Sequence, residues 1–431
     1  MTPIIAIRAL PHHVGEIVTL RGWVYNIRTS GKIAFLQLRD GSGFTQIIMT
    51  PKDVGEACWA LIDTLTLESA IICTGTVAQH PKREEYELHG HDVTLVHRAD
   101  EYPIGKKEHG PDFLLDHRHL WLRSGRQWAI QRVRDTIIRA TYDHLHREGF
   151  IKIDAPILTP AACEGTTTLF AVPYFDMGSA YLTQSGQLYL EAAIAAHGRV
   201  FDFGPVFRAE KSKTRRHLTE FWMMDAEAAF VEHDENLAIQ ERLICALVAA
   251  VLSENRTELH VLERDIAPLE RVTPPFPRIT HAEAVTILQG KGSTMTAESD
   301  LGGEDEALIM ENYDRPLFIE KYPARIKAFY MKRAPETPAL ALCADLIAPE
   351  GFGEIVGGSQ REDDYNTLLT RIREHQLPVE AFGWYLDLRR YGSVPHSGFG
   401  YGLERIVGWL CGVHHVRETI PFPRLLNRLT P

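Results

Sequence analysis

The sequence predicts an α+β protein in which a small β-barrel domain precedes a larger domain of antiparallel strands and helices. Short apolar and β-branched segments separated by Gly-containing turns fill the first hundred residues. Beyond residue 122, segments with apolar residues at helical spacing alternate with strand-like segments. A polar passage bearing Pro and Gly, ADEYPIGKKEHGPDF, is typical of a hinge. We therefore expect a barrel over residues 1–100, a linker over 101–122 and a second domain over 123–431.

The first domain contains about five predicted strands, among them TLRGWVYNIRT, KIAFLQLRDGSGFTQIIM and SAIICTGTVAQ. So few short strands favour the OB-fold, a barrel whose strand face binds single-stranded nucleic acid. On such a face the rings of Phe35 and Phe44 would stack on bases, although for Phe44 we favour a place in the core. Polar and basic side chains are expected beside them: Arg28, Lys32, Arg39 and Gln46.

The second domain opens with a predicted helix over residues 126–148, where apolar residues recur at helical spacing and Gly149 follows as a stop signal. The extended segment GFIKIDAPIL comes next. Its Pro156 has no N–H to donate, so this segment belongs at a sheet edge or an interface.

Residues 199–231 predict two antiparallel strands joined by a basic loop. A side-chain period of two places Arg208 and Glu210 on one face of the first strand. One face of the second strand then carries a mixed set of side chains: Phe221, Met223, Asp225 and Glu227. If the two faces coincide, charged and aromatic groups line one wall.

In the rest of the chain, helix and strand patterns are clear in some segments and absent from others. A helix is predicted over residues 234–254, whereas residues 256–312 are loose, rich in Gly and Thr, and receive no predicted chemistry. The segment WYLDLRRYGSVPHSGFGYGLERIVGWL predicts a strand, a Gly-rich turn and a helix. Arg405 lies near the start of that helix, where a cation opposes the helix dipole, so we expect an anionic group opposite it.

Composition restricts the function. A net charge of −11 argues against a general polyanion binder, because such binding depends on neutralising phosphates with Lys and Arg. The basic residues are nevertheless concentrated locally, since five of the ten residues from 208 to 217 are Lys or Arg.

The six cysteines are far apart and form no CxxC pair, which indicates neither a disulfide scaffold nor structural zinc. No signal peptide or membrane span is recognised, so we expect a soluble cytoplasmic protein.

Common nucleotide motifs are absent. Gly398, Gly400 and Gly402 follow a GxGxG spacing that differs from the dinucleotide fingerprint, and LQGKGST lacks the first glycine of a P-loop. No serine or cysteine nucleophile elbow is present. Two separated arginines and a carboxylate pair remain as candidates for holding phosphates and magnesium: Arg208, Arg405, Glu354 and Asp345.

These residues lie in segments that resemble a known family. FRAEKSKTRRHLTEF resembles motif 2 of the class II aminoacyl-tRNA synthetases, GFGYGLERIV resembles motif 3, and GFIKIDAPIL with Pro156 resembles motif 1. Their order and spacing, together with the N-terminal barrel, resemble the aspartyl, asparaginyl and lysyl subgroup. The resemblance implies an antiparallel catalytic sheet flanked by helices, and a homodimer formed through motif 1.

The resemblance also implies roles for the residues of these motifs. Arg208 would hold the α-phosphate of ATP and Arg405 the γ-phosphate, while Phe221 would stack on adenine. Glu210 and His217 would lie near the nucleotide, and the basic loop would face the tRNA acceptor end. Magnesium would be bound by Glu354, with Asp345 as a further ligand. The family's usual serine is Gly357 here, with Ser359 close by, so the second ligand stays open.

The segment QSGQLYLEA bears on the amino acid. Aspartate-specific relatives have a lysine at the position of Leu190, and leucine cannot neutralise a carboxylate. The resemblance implies that Arg361 reaches the substrate side chain, and Asp225 is a natural acceptor for an amide –NH2 group. Asparaginyl relatives more often have Glu at the position of Asp225, so activation of aspartate stays an alternative to activation of asparagine. The α-amino group would be held by Glu164 and Gln187.

Taken together, the resemblance implies ATP-dependent activation of L-asparagine and its transfer to the 3′ end of tRNA(Asn). Activation of aspartate is the main alternative, and a synthetase-derived asparagine-forming enzyme or a non-catalytic tRNA-binding paralogue are lesser ones. On the barrel, Phe35, Gln46 and Arg28 would contact the anticodon, with the first two on its middle base. The residue that reads the third base is not identified.

Overall fold

The computed structural model describes residues 2–105, 107–160 and 169–431. The chain divides into two compact units, residues 1–115 and 116–431. Glu164, an expected ligand of the amino group, lies outside the described residues.

The first unit is built on a closed five-stranded barrel in the order β1-β2-β3-β5-β4. Its strands and its helix have these bounds: β1 (Ile17–Ser30), β2 (Ile33–Arg39), β3 (Phe44–Met49), α1 (Pro51–Ile62), β4 (Ala70–Gln79) and β5 (Tyr86–His97). Inward-facing residues such as Leu20, Leu36 and Ile47 are fully buried, and outward-facing residues alternate with them. A 3-10 helix, Ile7–His12, packs against the same core. The predicted OB-like barrel is therefore confirmed.

The second unit contains an eight-stranded sheet in the order β12-β13-β16-β17-β18-β11-β10-β6. This unit also contains a three-stranded sheet and a two-stranded sheet. The strands of the three sheets have these bounds: β6 (Ile151–Lys152), β7 (Leu158–Thr159), β8 (Ala171–Pro173), β9 (Ser179–Leu182), β10 (Arg199–Phe207), β11 (Glu220–Ala229), β12 (Arg278–Thr280), β13 (Leu317–Glu320), β14 (Arg333–Ala334), β15 (Thr337–Ala341), β16 (Cys343–Ala348), β17 (Gly353–Gln360) and β18 (His396–Gly402). Neighbouring strands of the large sheet are antiparallel except for the outermost pair at each edge, which is parallel.

The helices that accompany these strands are α2 (Pro111–Asp116), α3 (Arg118–Trp121), α4 (Gly125–Arg147), α5 (Gln187–His197), α6 (His233–Glu254), α7 (Arg256–Val261), α8 (Ala267–Glu270), α9 (His281–Gly290), α10 (Gly303–Met310), α11 (Tyr365–Glu374), α12 (Gly383–Asp387) and α13 (Leu403–Cys411). Short 3-10 helices occur at Phe175–Met177, Ala324–Ile326, Val379–Phe382 and Val416–Glu418.

The main core lies where α4, α6 and α13 pack together on the large sheet. Ile130, Leu243 and Ile406 are among its fully buried side chains, and all three lie on the apolar stripes of their helices. Within the described residues, α6 alone is long and apolar enough by composition to cross a membrane, and half of that apolar stretch is buried in this unit. The helices predicted over 126–148 and 234–254 are confirmed to within one residue at each end.

The prediction that residues 256–312 are loose is wrong. This segment contains α7 to α10 and the edge strand β12. Thr280 begins α9 with a capping box, in which its side chain accepts from the N–H of Glu283 and the Glu283 carboxylate accepts from the N–H of Thr280. The elements are short, so their apolar repeats extend over too few turns to stand out in the sequence.

Candidate functional site

The alternating glycines of β18 make room for side chains of the neighbouring strand. Gly400 pairs with Asp225 of β11, and Gly398 pairs with Glu227. A Cβ atom on Gly398 would lie 2.0 Å from Glu227 Oε1, and one on Gly400 would lie 2.4 Å from Asp225 Oδ1. The GxGxG spacing therefore matches the period of a strand facing two carboxylates, which explains why it resembles a dinucleotide loop without being one.

A cavity of about 440 Å³ opens on the large sheet. It brings together ten of the residues predicted from the sequence: Gln187, Arg208, Glu210, His217, Phe221, Asp225, Asp345, Glu354, Arg361 and Arg405. We call the part lined by Arg208, Arg216, His217, Phe221, Glu354 and Arg405 the exposed half. The part lined by Ser185, Gln187, Asp225 and Arg361 is the buried half.

Arg208 follows the last residue of β10, and its backbone N–H donates to Thr219 O at 3.0 Å. Its Nη2 lies 3.5 Å from Gln184 O, and its buried Nε has no hydrogen-bond partner among the described residues. A buried cationic donor without an acceptor is costly, so this guanidinium is suited to an anion in the cavity.

Arg405 lies in the first turn of α13, and the anionic partner expected for it is Glu354. Arg405 Nη1 donates to Glu354 Oε2 at 3.1 Å and to the Glu354 backbone oxygen at 3.0 Å. Burial alone would raise the pKa of Glu354, but Arg405 and Lys327 attract its charged form and lower the pKa overall.

Asp345 and Glu354 approach one another above Gly357. A Cβ atom at Gly357 would lie 3.1 Å from Glu354 Oε1 and 3.7 Å from Asp345 Oδ1, so the missing side chain leaves space between two carboxylates. Two carboxylates facing such a space fit a hard cation such as Mg²⁺. Ser359, the other residue considered as a second ligand, is fully buried and its Oγ accepts from Arg361 Nη1 at 2.7 Å.

Lys327 was missed by the sequence analysis. Its Nζ lies 3.1 Å from Asp345 Oδ2, 3.2 Å from Asp300 Oδ1 and 3.8 Å from the ring centre of Tyr322. Burial alone would lower the pKa of Lys327, but Asp345 attracts the charged form and keeps the pKa above its ordinary value. The lysine therefore supplies a fixed positive charge next to the carboxylate pair.

The sequence predicts no chemistry for residues 256–312, but Asp300, Leu301 and Glu306 of this segment line the cavity. Glu306 Oε2 accepts from Arg216 Nη1 at 2.5 Å and from the Glu354 N–H at 3.2 Å. Glu306 lies 90 residues beyond Arg216 in the sequence, and no local pattern links the two.

Phe221, His217 and Glu210 complete the lining of the cavity on this side. The Phe221 ring is partly buried and packs against Leu218 and Val416. His217 Nδ1 bonds to Thr214 Oγ1, and partial burial of the imidazole together with Arg405 lowers its pKa. Glu210 lies at the start of the basic loop, where its side chain reaches the cavity wall.

In the buried half, Asp225 is held by two donors. Its Oδ2 accepts from Ser185 Oγ at 2.9 Å and from the Gly186 N–H at 2.8 Å. Burial raises the pKa of Asp225 to about 6, although these two hydrogen bonds oppose the shift. Its Oδ1 points toward Gly400. Asp225 is thus a fixed acceptor in the cavity wall.

Arg361 is almost completely buried and is held in one orientation. Its Nε lies 3.1 Å and its Nη2 2.5 Å from Glu227 Oε1. Together with the Ser359 contact, these bonds leave only part of the guanidinium free to donate into the cavity. Leu190 is not among the cavity-lining residues; it packs in a small apolar cluster with Ile194 and Val200.

On the barrel, Arg28, Phe35 and Gln46 share the outer face. Arg28 pairs directly with Phe35 across β1 and β2, and its guanidinium lies 4.8 Å from the ring centre. Gln46 Nε2 lies 3.4 Å from Glu87 Oε2 on β5. The three predicted side chains are therefore on one surface of the first unit.

Two expectations for the barrel are wrong. Phe44 is not in the core, because Thr45, Ile47 and Met49 take the inward positions of β3, and its ring instead packs edge-on against Tyr25 at 4.8 Å. Arg39 is buried, with Nη1 and Nη2 at 2.9 and 2.7 Å from the Glu68 carboxylate, so it is not an open base contact.

Comparison with known families covers most of the chain. Residues 110–426 match the family described as tRNA synthetases class II (D, K and N), and residues 18–96 match the OB-fold nucleic acid binding domain.

Individual relatives are similar over their whole length. The asparagine--tRNA ligase of Sorangium cellulosum is 56% identical, with 100% of this chain and 99% of that protein covered. The corresponding protein of Roseiflexus sp. is 52% identical, with both chains fully covered. The crystal structure of asparaginyl-tRNA synthetase from Pyrococcus horikoshii complexed with asparaginyl-adenylate has a TM-score of 0.95 and 42% identity, with 100% of each chain covered.

Proposed function

The chain belongs to the class II tRNA synthetases of the D, K and N group, and we propose that its cavity is where ATP and asparagine react and asparagine passes to tRNA. Its activity is the ligation of asparagine to tRNA, with ATP as a further substrate. The observation that carries the assignment of the site is the convergence of Arg208, Arg405 and Phe221 with Asp225 and Arg361 in one cavity.

In the proposed first step, the carboxylate of asparagine attacks the α-phosphorus of ATP, which gives the adenylate and pyrophosphate. The carboxylate is already a nucleophile, so alignment and neutralisation of charge carry the step, and no general base is needed. Arg208, whose Nε has no partner among the described residues, would stabilise charge on the α-phosphate. Arg405 would exchange Glu354 for the γ-phosphate, Phe221 would stack on adenine, and Glu210 and His217 would lie beside the nucleotide.

Glu354 and Asp345 would hold Mg²⁺ above Gly357, with Lys327 next to them. Bound there, the ion would neutralise phosphate charge. The chain's own residues prepare this place: Gly357 keeps it free of a side chain, Lys327 holds Asp345, and Arg405 holds Glu354 until ATP binds.

The buried half would select the amino acid. Arg361 would donate to the amide oxygen of asparagine and Asp225 would accept from the amide –NH2 group. A charged Asp225 repels a second carboxylate, which disfavours aspartate. Gln187 would accept from the α-ammonium group, with Glu164 as a further ligand implied by the family resemblance.

Binding of tRNA and formation of a homodimer are part of the same proposal. Arg28, Phe35 and Gln46 would contact the anticodon, and the basic loop Lys211 to His217 would receive the acceptor end. A homodimer would form around Pro156, and the protein would act in the cytoplasm.

The test is pyrophosphate exchange with ATP and magnesium in the absence of tRNA, with asparagine and aspartate compared at equal concentration. We expect exchange with asparagine and at least about a hundred-fold less with aspartate. Comparable exchange with aspartate would show that Asp225 and Arg361 do not discriminate as proposed.

A further inference from the structure

We propose that Glu191 is a positioning residue for amino-acid binding, which turns the side-chain amide of Gln187 so that its carbonyl oxygen faces the cavity. The inference rests on the proposed function in one respect: Gln187 is taken to bind the α-ammonium group of asparagine.

Gln187 and Glu191 lie one turn apart on α5. Gln187 Nε2 donates to Glu191 Oε1 at 3.1 Å, and the Glu191 side chain is fully enclosed by protein. The Gln187 backbone N–H donates to Ser185 Oγ at 3.1 Å, so the residue is fixed at both ends. Gln187 lines the cavity and Glu191 does not, which places the carboxylate behind the amide.

Two donors and an imidazole nitrogen converge on the second oxygen of Glu191. Arg389 Nη2 lies 2.6 Å, the Tyr385 hydroxyl 2.7 Å and His396 Nε2 3.0 Å from Glu191 Oε2. Burial alone would raise the pKa of Glu191, but Arg389 and His396 hold it below its ordinary value. The carboxylate is therefore ionised, and an ionised carboxylate can only accept hydrogen bonds.

This chemistry leaves one orientation for the Gln187 amide. Its –NH2 group must face Glu191, because a carbonyl oxygen in that place would oppose a carboxylate oxygen. Its carbonyl oxygen is then directed to the cavity, where it can accept from an ammonium group. The opposite orientation would present –NH2 to the ammonium group, and two donors repel.

The substitution Glu191→Gln tests the idea because it keeps the shape of the side chain. Arg389 and Tyr385 require an acceptor, so the new amide must place its oxygen toward them and its –NH2 group toward Gln187. Gln187 would then turn its own oxygen inward and present –NH2 to the cavity. We expect the KM for asparagine in pyrophosphate exchange to rise at least about ten-fold, while the KM for ATP changes less than about two-fold.

A second substitution should reverse this effect. In the Glu191→Gln background, Gln187→Glu gives a carboxylate that accepts from the new –NH2 group with one oxygen and presents the other to the cavity. We expect the double variant to recover most of the asparagine affinity. A purely structural role for Glu191 predicts no recovery, so a double variant as weak as or weaker than Glu191→Gln would overturn the proposal.

Two controls separate this inference from the proposed role of Gln187. Succinamate, which is asparagine without its α-amino group, should inhibit wild type and Glu191→Gln equally, since it makes no ammonium contact. Gln187→Ala should raise the asparagine KM; if it does not, the proposed role of Gln187 is wrong. If Gln187→Ala raises the KM and Glu191→Gln leaves it unchanged, the role of Gln187 stands and the orientation by Glu191 is wrong.

Discussion

The two halves of the cavity hold their charges in different ways. In the exposed half, Arg405 and Glu354 form a pair whose side chains are 30% and 37% exposed. In the buried half, Arg361 and Glu227 are 4% and 1% exposed, and Ser359 also binds the arginine. The ion pair of the exposed half is therefore open to an exchange of partners, whereas that of the buried half is fixed.

The physical basis of this difference is solvent. A pair open to water contributes little free energy, so replacing Glu354 by a phosphate on Arg405 costs little. A buried pair is costly to break because the remaining charge has lost both water and its partner. If the cavity holds a nucleotide and an amino acid as proposed, it combines exchangeable contacts for the first with a rigid wall for the second.

The largest effect is expected from a substitution that breaks the buried ion pair between Arg361 and Glu227. Glu227→Ala leaves the Arg361 guanidinium buried without its main acceptor, and we expect it to lower the free energy of unfolding by about 3–5 kcal/mol. Urea denaturation of the full chain measures the change. The matched control is Glu270→Ala, which removes a carboxylate from an exposed pair with Arg256 and should cost less than about 0.5 kcal/mol. Equal stability of the two variants would contradict the comparison.

The next effect concerns the exposed half. Arg405→Ala should reduce asparagine-dependent pyrophosphate exchange by about 10²–10³, since it removes one preorganised cation from the phosphate site. Its thermal midpoint should change by less than about 2 °C, because the lost pair is open to water. Arg256→Ala, which removes an exposed arginine from α7, is the control for both measurements. Near-normal exchange by Arg405→Ala would refute the proposed phosphate contact.

The two halves also differ in how much of them the sequence predicts. Arg208, Phe221 and Arg405 stand in contiguous motifs, and the two-residue period of β11 places Phe221, Asp225 and Glu227 on one face. The groups behind the cavity carry no such signal. Glu191 meets Arg389 and His396 only because α5 packs beside the chain segment before β18, about 200 residues away.

The fold shows the same limit. The long helices α4 and α6 and the β10–β11 hairpin follow from periodicity, which extends over many residues. Asp300, Glu306 and Lys327 could not be placed, because each acquires its partner through tertiary contacts between short elements. Phe44 was misplaced since an aromatic residue suits either face of a half-buried strand, and its register is set by the neighbouring residues.

A substitution on the barrel, outside both halves of the cavity, tests a contact that should affect tRNA binding alone. Phe35→Ala removes a proposed base-stacking ring from the barrel, and we expect tRNA binding to weaken by about 1–3 kcal/mol. Exchange without tRNA should be unchanged, because the barrel face carries none of the cavity residues. Phe44→Ala is the matched aromatic control, since that ring packs against Tyr25, and its effect on binding should be smaller. Equal losses of tRNA binding would assign base stacking to both rings.

The smallest expected effect is a pH dependence of substrate choice in the buried half. The pKa of Asp225 is raised to about 6, so this carboxyl group is charged at pH 7.5 and about three-quarters protonated at pH 5.5. Under the proposed role of Asp225, protonation would remove both the charge that repels an aspartate side chain and the acceptor for the amide –NH2 group. The charged fraction of Asp225 falls about four-fold between these pH values, so the ratio of kcat/KM for asparagine over aspartate should fall by at least that factor.

The Asp225→Asn variant separates this cause from other titrations, because its asparagine-to-aspartate ratio should be lower at pH 7.5 and nearly independent of pH. The same raised pKa means that the folded protein binds more protons than the unfolded chain between about pH 4 and 6, so this group makes folding less favourable as pH rises through that window. Selectivity and stability thus change in opposite directions with the charge on Asp225. A ratio that stays constant in wild type down to pH 5.5 would place the discrimination on Arg361 rather than on the charge of Asp225.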